Sequence, residues 1–111
     1  MVAPATVHRG QVLLVNLDPT RGREIRKTRP CVVVSPDELN AHLRTFIVAP
    51  LTTGGHPYPF RIRCRFRGRP GFVVLDQLRT VDQERFARSL GRLAPATMAR
   101  VFGVLPEMFA P

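Results

Sequence analysis

The sequence predicts a mainly β fold, a small antiparallel β-barrel, with an α-helix at its C-terminus. Short apolar runs rich in β-branched residues recur along the chain, and turns containing Gly or Pro separate them. Only near the end of the chain do apolar residues clearly recur at helical spacing. The chain has 111 residues, of which 44% are hydrophobic, so we expect one domain over residues 1–111 with a modest core.

The predicted strands are short and lie close together in the chain. Most are alternating or continuous apolar runs, which are typical of half-buried and fully buried strands. Glycines after the third strand and Arg69-Pro70-Gly71 after the fourth predict tight turns. The predicted strands cover residues 11–17, 31–35, 45–51, 60–67 and, as one long or bent strand, 72–81.

Two segments are predicted to be helical. Residues 36–43 form a short turn for which Ser35 or Asp37 could be the N-terminal cap. Pro95 lies in the first turn of the longer C-terminal helix, and Pro106 would stop or kink that helix. Its apolar residues recur at helical spacing and should pack on the sheet: Met98, Val101, Phe102 and Leu105.

The stretch PFRIRCRFRGR, residues 59–69, alternates apolar and basic residues. A period of two places the apolar set on the core face of a strand and the arginines on the other face. With 17 Lys and Arg against 8 Asp and Glu, the chain carries a net charge of +9, which indicates a polyanionic or acidic partner. A charged edge that resists aggregation is the alternative. The two sets are Phe60, Ile62, Cys64, Phe66 and Arg61, Arg63, Arg65, Arg67.

Composition and spacing disfavour several other classes of protein. Cys31 and Cys64 lie in apolar strand patterns and are expected to be buried free thiols in a reducing compartment. We recognise no signal peptide and no membrane span, so a cytoplasmic protein is expected. The three histidines are isolated in sequence, so we expect neither a metal site nor a cofactor. One tyrosine and no tryptophan give no evident aromatic platform for stacking bases.

A polar cluster is the best candidate for chemistry. It combines the basic loop before the strand at residue 31 with the threonines after the strand at 45–51. We expect these parts to meet if another strand lies between the two strands, and to separate if the two are direct antiparallel neighbours. Arginine could bind a phosphate through two hydrogen bonds, and threonine hydroxyls could complete that site. The cluster comprises Arg23, Glu24, Arg26, Lys27, Thr28, Arg29, Thr52 and Thr53.

Two of these residues also have ordinary structural interpretations. Arg29 could pair with Glu24 at the end of a strand, and Thr52 could be a turn-forming hydroxyl. Spacing alone does not exclude either interpretation.

Three motifs of the chain are similar to those of one known family. Residues 9–40 contain Arg9-Gly10, a Leu-Asp-Pro-Thr segment and Thr28-Arg29-Pro30 before a valine-rich strand. VAPLTTGG at 48–55 and VLDQLRTVD at 74–82 follow. Together they resemble the MazF/PemK/Kid family of toxin endoribonucleases, over nearly the whole chain.

The resemblance implies an SH3-like barrel of the CcdB/PemK type, a homodimer and an acidic antitoxin as partner. It also implies sequence-specific, metal-independent cleavage of single-stranded RNA through attack by the 2′-hydroxyl, and so inhibition of translation and growth. Arg29 and Thr52 match the positions held to be catalytic, and Glu24 is a candidate general base.

The chain departs from some members of the family near a second candidate residue. Asp76 lies where those members have an acid–base carboxylate, but Val74 stands where they have an arginine, and Arg23 replaces a histidine. These departures favour Arg29 and Thr52 over a centre at Asp76. The residues expected to bind RNA are Thr53, Arg23, Lys27, Asp76, Arg61, Arg63 and Arg65.

Two other functions fit a barrel of this kind. One is a toxin of the CcdB type, which binds gyrase and cleaves nothing; it is favoured if Arg29 and Thr52 are remote from each other or dispensable. The other is a non-catalytic RNA-binding barrel, which would bind RNA tightly without cutting it.

Overall fold

The computed structural model describes residues 7–17 and 28–111, and these residues form a mainly antiparallel β structure with a C-terminal helix. Two single-turn 3-10 helices, Leu75–Gln77 and Gln83–Arg85, flank the sixth strand. The strands are β1 (Gln11–Asn16), β2 (Thr28–Val33), β3 (Thr45–Thr53), β4 (Arg61–Phe66), β5 (Arg69–Val74), β6 (Arg79–Asp82) and β7 (Phe86–Arg92), and the helices are α1 (Asp37–His42) and α2 (Pro95–Phe109).

The sheet has the strand order β4-β5-β3-β2-β1-β7, and β6 pairs with β3 beside this path. The nine-residue strand β3 has two partners along one edge: its first half pairs with β6 and its last three residues pair with β5. The prediction of one long strand over 72–81 was therefore wrong. The 3-10 turn at Leu75–Gln77 separates β5 from β6, so that each can pair with its own half of β3.

The outer strands of this path, β4 and β7, approach each other through side chains. An N–H of the Arg67 side chain donates to the carbonyl of Leu90 at 2.7 Å, and the ring of Phe66 lies against Gly91. Within the described residues no main-chain ladder joins the two strands, so a closed barrel is not confirmed. The sheet curls toward closure and leaves a gap.

The hairpin between β4 and β5 turns at Arg67-Gly68. Both residues have positive φ, 53° and 77°, as the two-residue turn favoured by twisted hairpins requires. The expected turn at 69–71 was wrong, because Arg69, Pro70 and Gly71 belong to β5. Arg67 consequently lies in the turn and not on the strand, which leaves three arginines on β4.

Apolar side chains fill both faces of the sheet. In one cluster, side chains from strands β1 through β5 pack against helix α2. Val101 of that helix is fully buried, as the helical spacing predicts. The other cluster lies on the opposite face and contains Val33, Val48 and Val81. Cys31 and Cys64 are buried and unpaired, which confirms the expectation of free thiols.

The helices differ from prediction at their ends. Neither proposed cap bonds the start of α1: the Ser35 hydroxyl donates to Asn40 Oδ1 at 2.6 Å, and Asp37 accepts the Arg9 backbone N–H at 2.7 Å. Helix α2 continues through Pro106, which therefore does not stop it. In the described part of the chain, no helix is both long and apolar enough to span a membrane.

Candidate active site

The first residues of β2 lie beside the last residues of β3. These strands are direct antiparallel neighbours with Cys31 opposite Pro50, and the same register continued by two residues places Arg29 opposite Thr52. The expectation that an intervening strand is needed to bring them together was wrong. In an antiparallel pair, the beginning of one strand is next to the end of the other, so direct pairing brings both residues to one edge.

Arg29 and Thr52 line the same cleft, which has a volume of about 790 Å³. One part of its wall is apolar and includes Leu51 of β3, together with Phe66 and Leu90 from the two sides of the gap between β4 and β7. Another part is polar and basic, as binding of a phosphate requires. This polar lining consists of Thr28, Arg29, Thr52, Thr53, Arg67 and Arg69.

Backbone groups hold the Thr52 side chain in place. Its hydroxyl accepts the backbone N–H of Phe72 and donates to the carbonyl of Gly54, both at 3.2 Å. A Cβ on Gly71 would lie only 1.7 Å from the carbonyl oxygen of Thr52. Sequence reasoning missed Gly71, although a glycine inside a strand is a known sign of close backbone approach.

The two cysteines near the candidate site are poor nucleophiles. Burial raises the pKa of the Cys31 thiol to about 12, and the opposing charges of Arg29 and Arg79 are weaker effects. Burial also raises the pKa of Cys64, which lines the cleft, against the charge of Arg100. Both side chains are therefore neutral thiols near neutral pH.

A row of side chains extends from Thr52 toward the arginines of β4. Thr52 pairs with Phe72 of β5, and Phe72 pairs with Arg63 of β4. The Arg63 guanidinium lies 5.4 Å from the centre of the Phe72 ring. Arg63 is thus two strand spacings, roughly 10 Å, from Thr52. An N–H of Arg65, the next arginine on this face, donates to the Gly68 carbonyl at 2.9 Å.

Arg61 forms a two-bond ion pair with Asp76. Its Nε and Nη2 donate to the two carboxylate oxygens at 3.0 and 3.1 Å. These hydrogen bonds hold the pKa of Asp76 below its ordinary value. Arg61 lies opposite Val74 in the β4–β5 ladder, so the guanidinium reaches Asp76 from the neighbouring strand. Neither residue lines the cleft that contains Arg29 and Thr52.

Three of the predicted site residues belong to the basic loop before β2. Arg23, Glu24 and Lys27 lie outside the described residues. In the portions 7–17 and 28–111, no three side chains of His, Cys, Asp or Glu come together as a metal site would require.

Comparison with known proteins gives consistent results. Residues 8–109 match the family model of the "PemK-like, MazF-like toxin of type II toxin-antitoxin system". Endoribonuclease PemK of Escherichia coli is 36% identical over 105 residues, covering 89% of this chain and 79% of that protein. Endoribonuclease toxin MazF of Escherichia coli strain K12 is 32% identical over 96 residues, or 86% of each chain. The crystal structure of MazF from Deinococcus radiodurans has a TM-score of 0.77 at 27% identity, covering 94% of this chain and 96% of that one.

The antiparallel sheet and its C-terminal helix define a protein of the MazF-like fold. The chain belongs to the PemK-like, MazF-like toxin family of type II toxin-antitoxin systems. The resemblance seen in the sequence is thereby confirmed.

Proposed function

We propose that this protein is an endoribonuclease toxin that cleaves single-stranded RNA at the cleft of Arg29 and Thr52. The observation that carries the proposal is the placement of these two residues at one edge of the sheet, in a cleft with a basic lining. The relatives named endoribonuclease support the activity. The proximity of Arg29 and Thr52 disfavours the gyrase-binding alternative.

The reaction needs no nucleophile from the protein, because the 2′-hydroxyl of RNA attacks the adjacent phosphorus. The enzyme must orient that attack and stabilise the negative charge that develops on the phosphate. Arg29 would contribute positive charge and a forked pair of donors. Thr52 would exchange its bond to the Gly54 carbonyl for one to a non-bridging phosphate oxygen. Glu24 is the candidate general base for the 2′ proton.

RNA binding would involve further residues around the cleft. Thr53 lines it directly, and Arg63 and Arg65 lie on β4, in the direction of the row of paired residues that begins at Thr52. Arg23 and Lys27 belong to the loop that leads into β2. Asp76 is held by Arg61, so we assign it no proton transfer. Contacts of Arg23, Arg63 and Arg65 with phosphates would add affinity without reading the RNA sequence.

The family also suggests the setting in which this toxin acts. An acidic antitoxin would neutralise it, and the charge of +9 is complementary to such a partner. Further proposals are a homodimer, a single domain over 1–111, closure of the curled sheet into an SH3-like barrel, and cleavage of mRNA in the cytoplasm.

Incubation of the purified protein with mixed RNA in excess chelator tests the proposed activity. We expect cleavage that leaves a 2′,3′-cyclic phosphate and a 5′-hydroxyl, and no cleavage of DNA of the same sequence, because DNA lacks the nucleophile. Arg29→Ala and Thr52→Ala should each lower the rate by roughly 10²–10³ with little change in Tm. Arg88→Ala, an exposed change on β7, is the matched control.

Three results would contradict the proposal. Activity that requires an added divalent ion would overturn the metal-independent mechanism. Normal cleavage by either active-site variant would mean that its residue is misassigned. Tight RNA binding by the unaltered protein without any cleavage would favour the non-catalytic alternative.

A further inference from the structure

The loop between β3 and β4, residues 54–60, holds three ring side chains in solvent. We call it the aromatic loop; it contains the sequence His-Pro-Tyr-Pro-Phe at 56–60. His56 is exposed, and Tyr58 and Phe60 are 56% and 40% exposed. Single exposed apolar residues need no explanation, but a cluster beside a candidate site does. Phe60 was expected on the core face of β4, and that prediction was wrong.

The aromatic loop is locally rigid. Pro57 and Pro59 fix the backbone on both sides of Tyr58. The Tyr58 N–H donates to the His56 carbonyl at 2.9 Å, and the Arg61 N–H donates to the Tyr58 carbonyl at 3.2 Å. Phe60 has a φ of 64°, which is a strained backbone conformation for a bulky residue. Because the side chain remains 40% exposed, its burial compensates for little of that strain. Rings that are already ordered lose little conformational freedom when a ligand stacks on them.

One face of the Tyr58 ring is supported by an arginine. The Arg61 guanidinium lies 4.9 Å from the centre of that ring, within the range of cation–π contacts. Asp76 fixes the guanidinium through the two-bond ion pair. The His56 ring meets Tyr58 edge-on, with its centre 6.1 Å away and the planes at 72°. These contacts hold Tyr58 in one orientation while more than half of its surface stays open.

The aromatic loop is directly connected to the candidate active site. The carbonyl of its first residue, Gly54, accepts a hydrogen bond from the Thr52 hydroxyl. A Cβ on the next residue, Gly55, would lie 3.9 Å from the oxygen of that hydroxyl. At most about 20 Å of chain separates Tyr58 from Thr52. An RNA strand with one phosphate bound at Thr52 can therefore place a nearby base against the aromatic loop. Exposed rings beside arginines are the features by which proteins bind single-stranded nucleic acid.

We propose that Tyr58 and Phe60 form a stacking platform for unpaired bases of the RNA, close to the cleaved phosphate, and that Arg61 and Asp76 position Tyr58. The inference rests on the proposed function, because it takes RNA as the ligand of the neighbouring cleft. It assigns Arg61 a positioning role and removes it from the residues that contact phosphate. The sequence made no such platform evident, because the counts of tyrosine and tryptophan do not tell which rings lie together in solvent.

The protein itself provides a specific probe for this platform. It contains one tyrosine and no tryptophan, so its tyrosine emission comes from Tyr58 alone. The full chain is titrated with a short mixed-sequence RNA whose 2′-hydroxyls are methylated, so that it cannot be cut. We expect saturable quenching of the emission by the single strand, and much weaker quenching by the same sequence in a duplex, whose bases are stacked with each other.

Variants separate stacking from the fold. Tyr58→Ala and Phe60→Ala should each weaken binding of this RNA by about 5- to 150-fold, the range found for loss of one stacked base. Tyr58→Phe keeps the ring and should bind as the unaltered protein does. Phe109→Ala removes an exposed ring, 70% accessible at the end of α2, and should change nothing. Thermal unfolding of each variant shows whether it remains folded.

A charge-conserving variant tests the positioning role of Arg61. Arg61→Lys keeps the charge but cannot form the two-bond pair with Asp76. We expect weaker quenching and weaker RNA binding with an unchanged dependence of affinity on salt. In Arg61→Gln, a shallower salt dependence would identify Arg61 as a phosphate contact and overturn its assignment.

The outcomes distinguish this inference from the proposed function. RNA cleavage together with unchanged Tyr58 emission and full affinity of Tyr58→Ala would overturn the platform alone. Quenching and the variant effects without any RNA cleavage by the unaltered protein would overturn the proposed activity and leave the platform intact. Quenching by an acidic peptide but not by RNA would show that the loop is a protein-binding surface and overturn the inference.

Discussion

Gly71 and the carbonyl group of Thr52 occupy space that a side chain at residue 71 would need. A Cβ at that position would lie 1.7 Å from the Thr52 oxygen and 2.7 Å from its carbonyl carbon. Both atoms belong to the backbone of a paired strand, so neither can rotate away as a side chain could. The end of β3, and with it the Thr52 hydroxyl, therefore depends on the absence of a side chain in β5.

Gly71→Ala is expected to displace Thr52 and to reduce RNA cleavage. Crowding of this kind typically costs about 1–3 kcal/mol of stability, so Tm should also fall. In a Thr52→Ala background, the same change should lower Tm again but remove little further activity, because the two substitutions impair one group. Rates of RNA cleavage and thermal unfolding of the single and double variants provide the measurement.

Gly103→Ala is the control for that substitution. Gly103 lies in α2, and apart from its chain neighbours and the backbone of its own helix no heavy atom lies within 4 Å of the added Cβ, so alanine should keep activity and leave stability equal or higher. Normal cleavage and normal Tm in Gly71→Ala would show that the strands have room for a methyl group and would refute this account of Thr52.

The Arg61–Asp76 pair predicts a stability effect confined to a range of pH. The folded protein holds the pKa of Asp76 below its ordinary value of 3.8, so the unfolded chain binds the proton more strongly. The pair therefore stabilises the fold above pH 3.8, and this contribution is lost as pH falls through the lower folded pKa. Tm differences between the unaltered protein and Asp76→Asn should be present near neutral pH and vanish in acid.

Arg61→Gln removes the same pair from the other side and should lose its Tm difference over the same range. The side chains are partly exposed, 22% for Arg61 and 44% for Asp76, so the effect should be small. A Tm difference that persists unchanged below the folded pKa would contradict the ion pair as its source.

The arginines of β4 predict the salt dependence of RNA binding. Arg63→Gln with Arg65→Gln changes only the outward face of the strand and should keep the fold. For each phosphate that the variant no longer binds, the slope of log affinity against log salt should flatten by about 0.7 on a single strand. The cut site should not change. Arg88→Gln with Arg92→Gln removes the same charge from β7 and is the matched control.

If these arginines instead bind the acidic antitoxin, RNA affinity and its salt slope should equal those of the unaltered protein while neutralisation weakens. If neither changes, the arginines serve only as a charged edge. Binding measured at several salt concentrations, together with inhibition by the antitoxin, separates these outcomes.

Sequence patterns were reliable where one physical requirement dominated. The alternation in residues 61–66 located the buried face of β4. The apolar side chains of Ile62 and Cys64 are more stable when buried, whereas the charged arginines are more stable in water. The helical spacing around Val101 located the face of α2 that packs on the sheet for the same reason.

Prediction failed where two strands had to agree on a geometry. The turn lies at Arg67-Gly68 because the register of β4 and β5 requires two residues of positive φ there. Arginine rarely has a positive φ, so its presence in the sequence did not indicate a turn. The split of residues 72–81 follows from the two partners of β3, a tertiary fact that no local pattern records. The contact of Gly71 with Thr52 likewise exists only once their strands are paired.

Two arginines affect how this sheet meets other molecules. Arg100 donates to the carbonyl of Arg63 on β4, and Arg67 donates to the carbonyl of Leu90 on β7, each at 2.7 Å. Both carbonyls belong to the terminal strands of the ladder, where unsatisfied backbone groups invite a further strand from another copy. The guanidinium groups occupy these acceptors and place positive charge at both margins. Concentrated protein should therefore resist edge-to-edge polymerisation, even though its sheet is open.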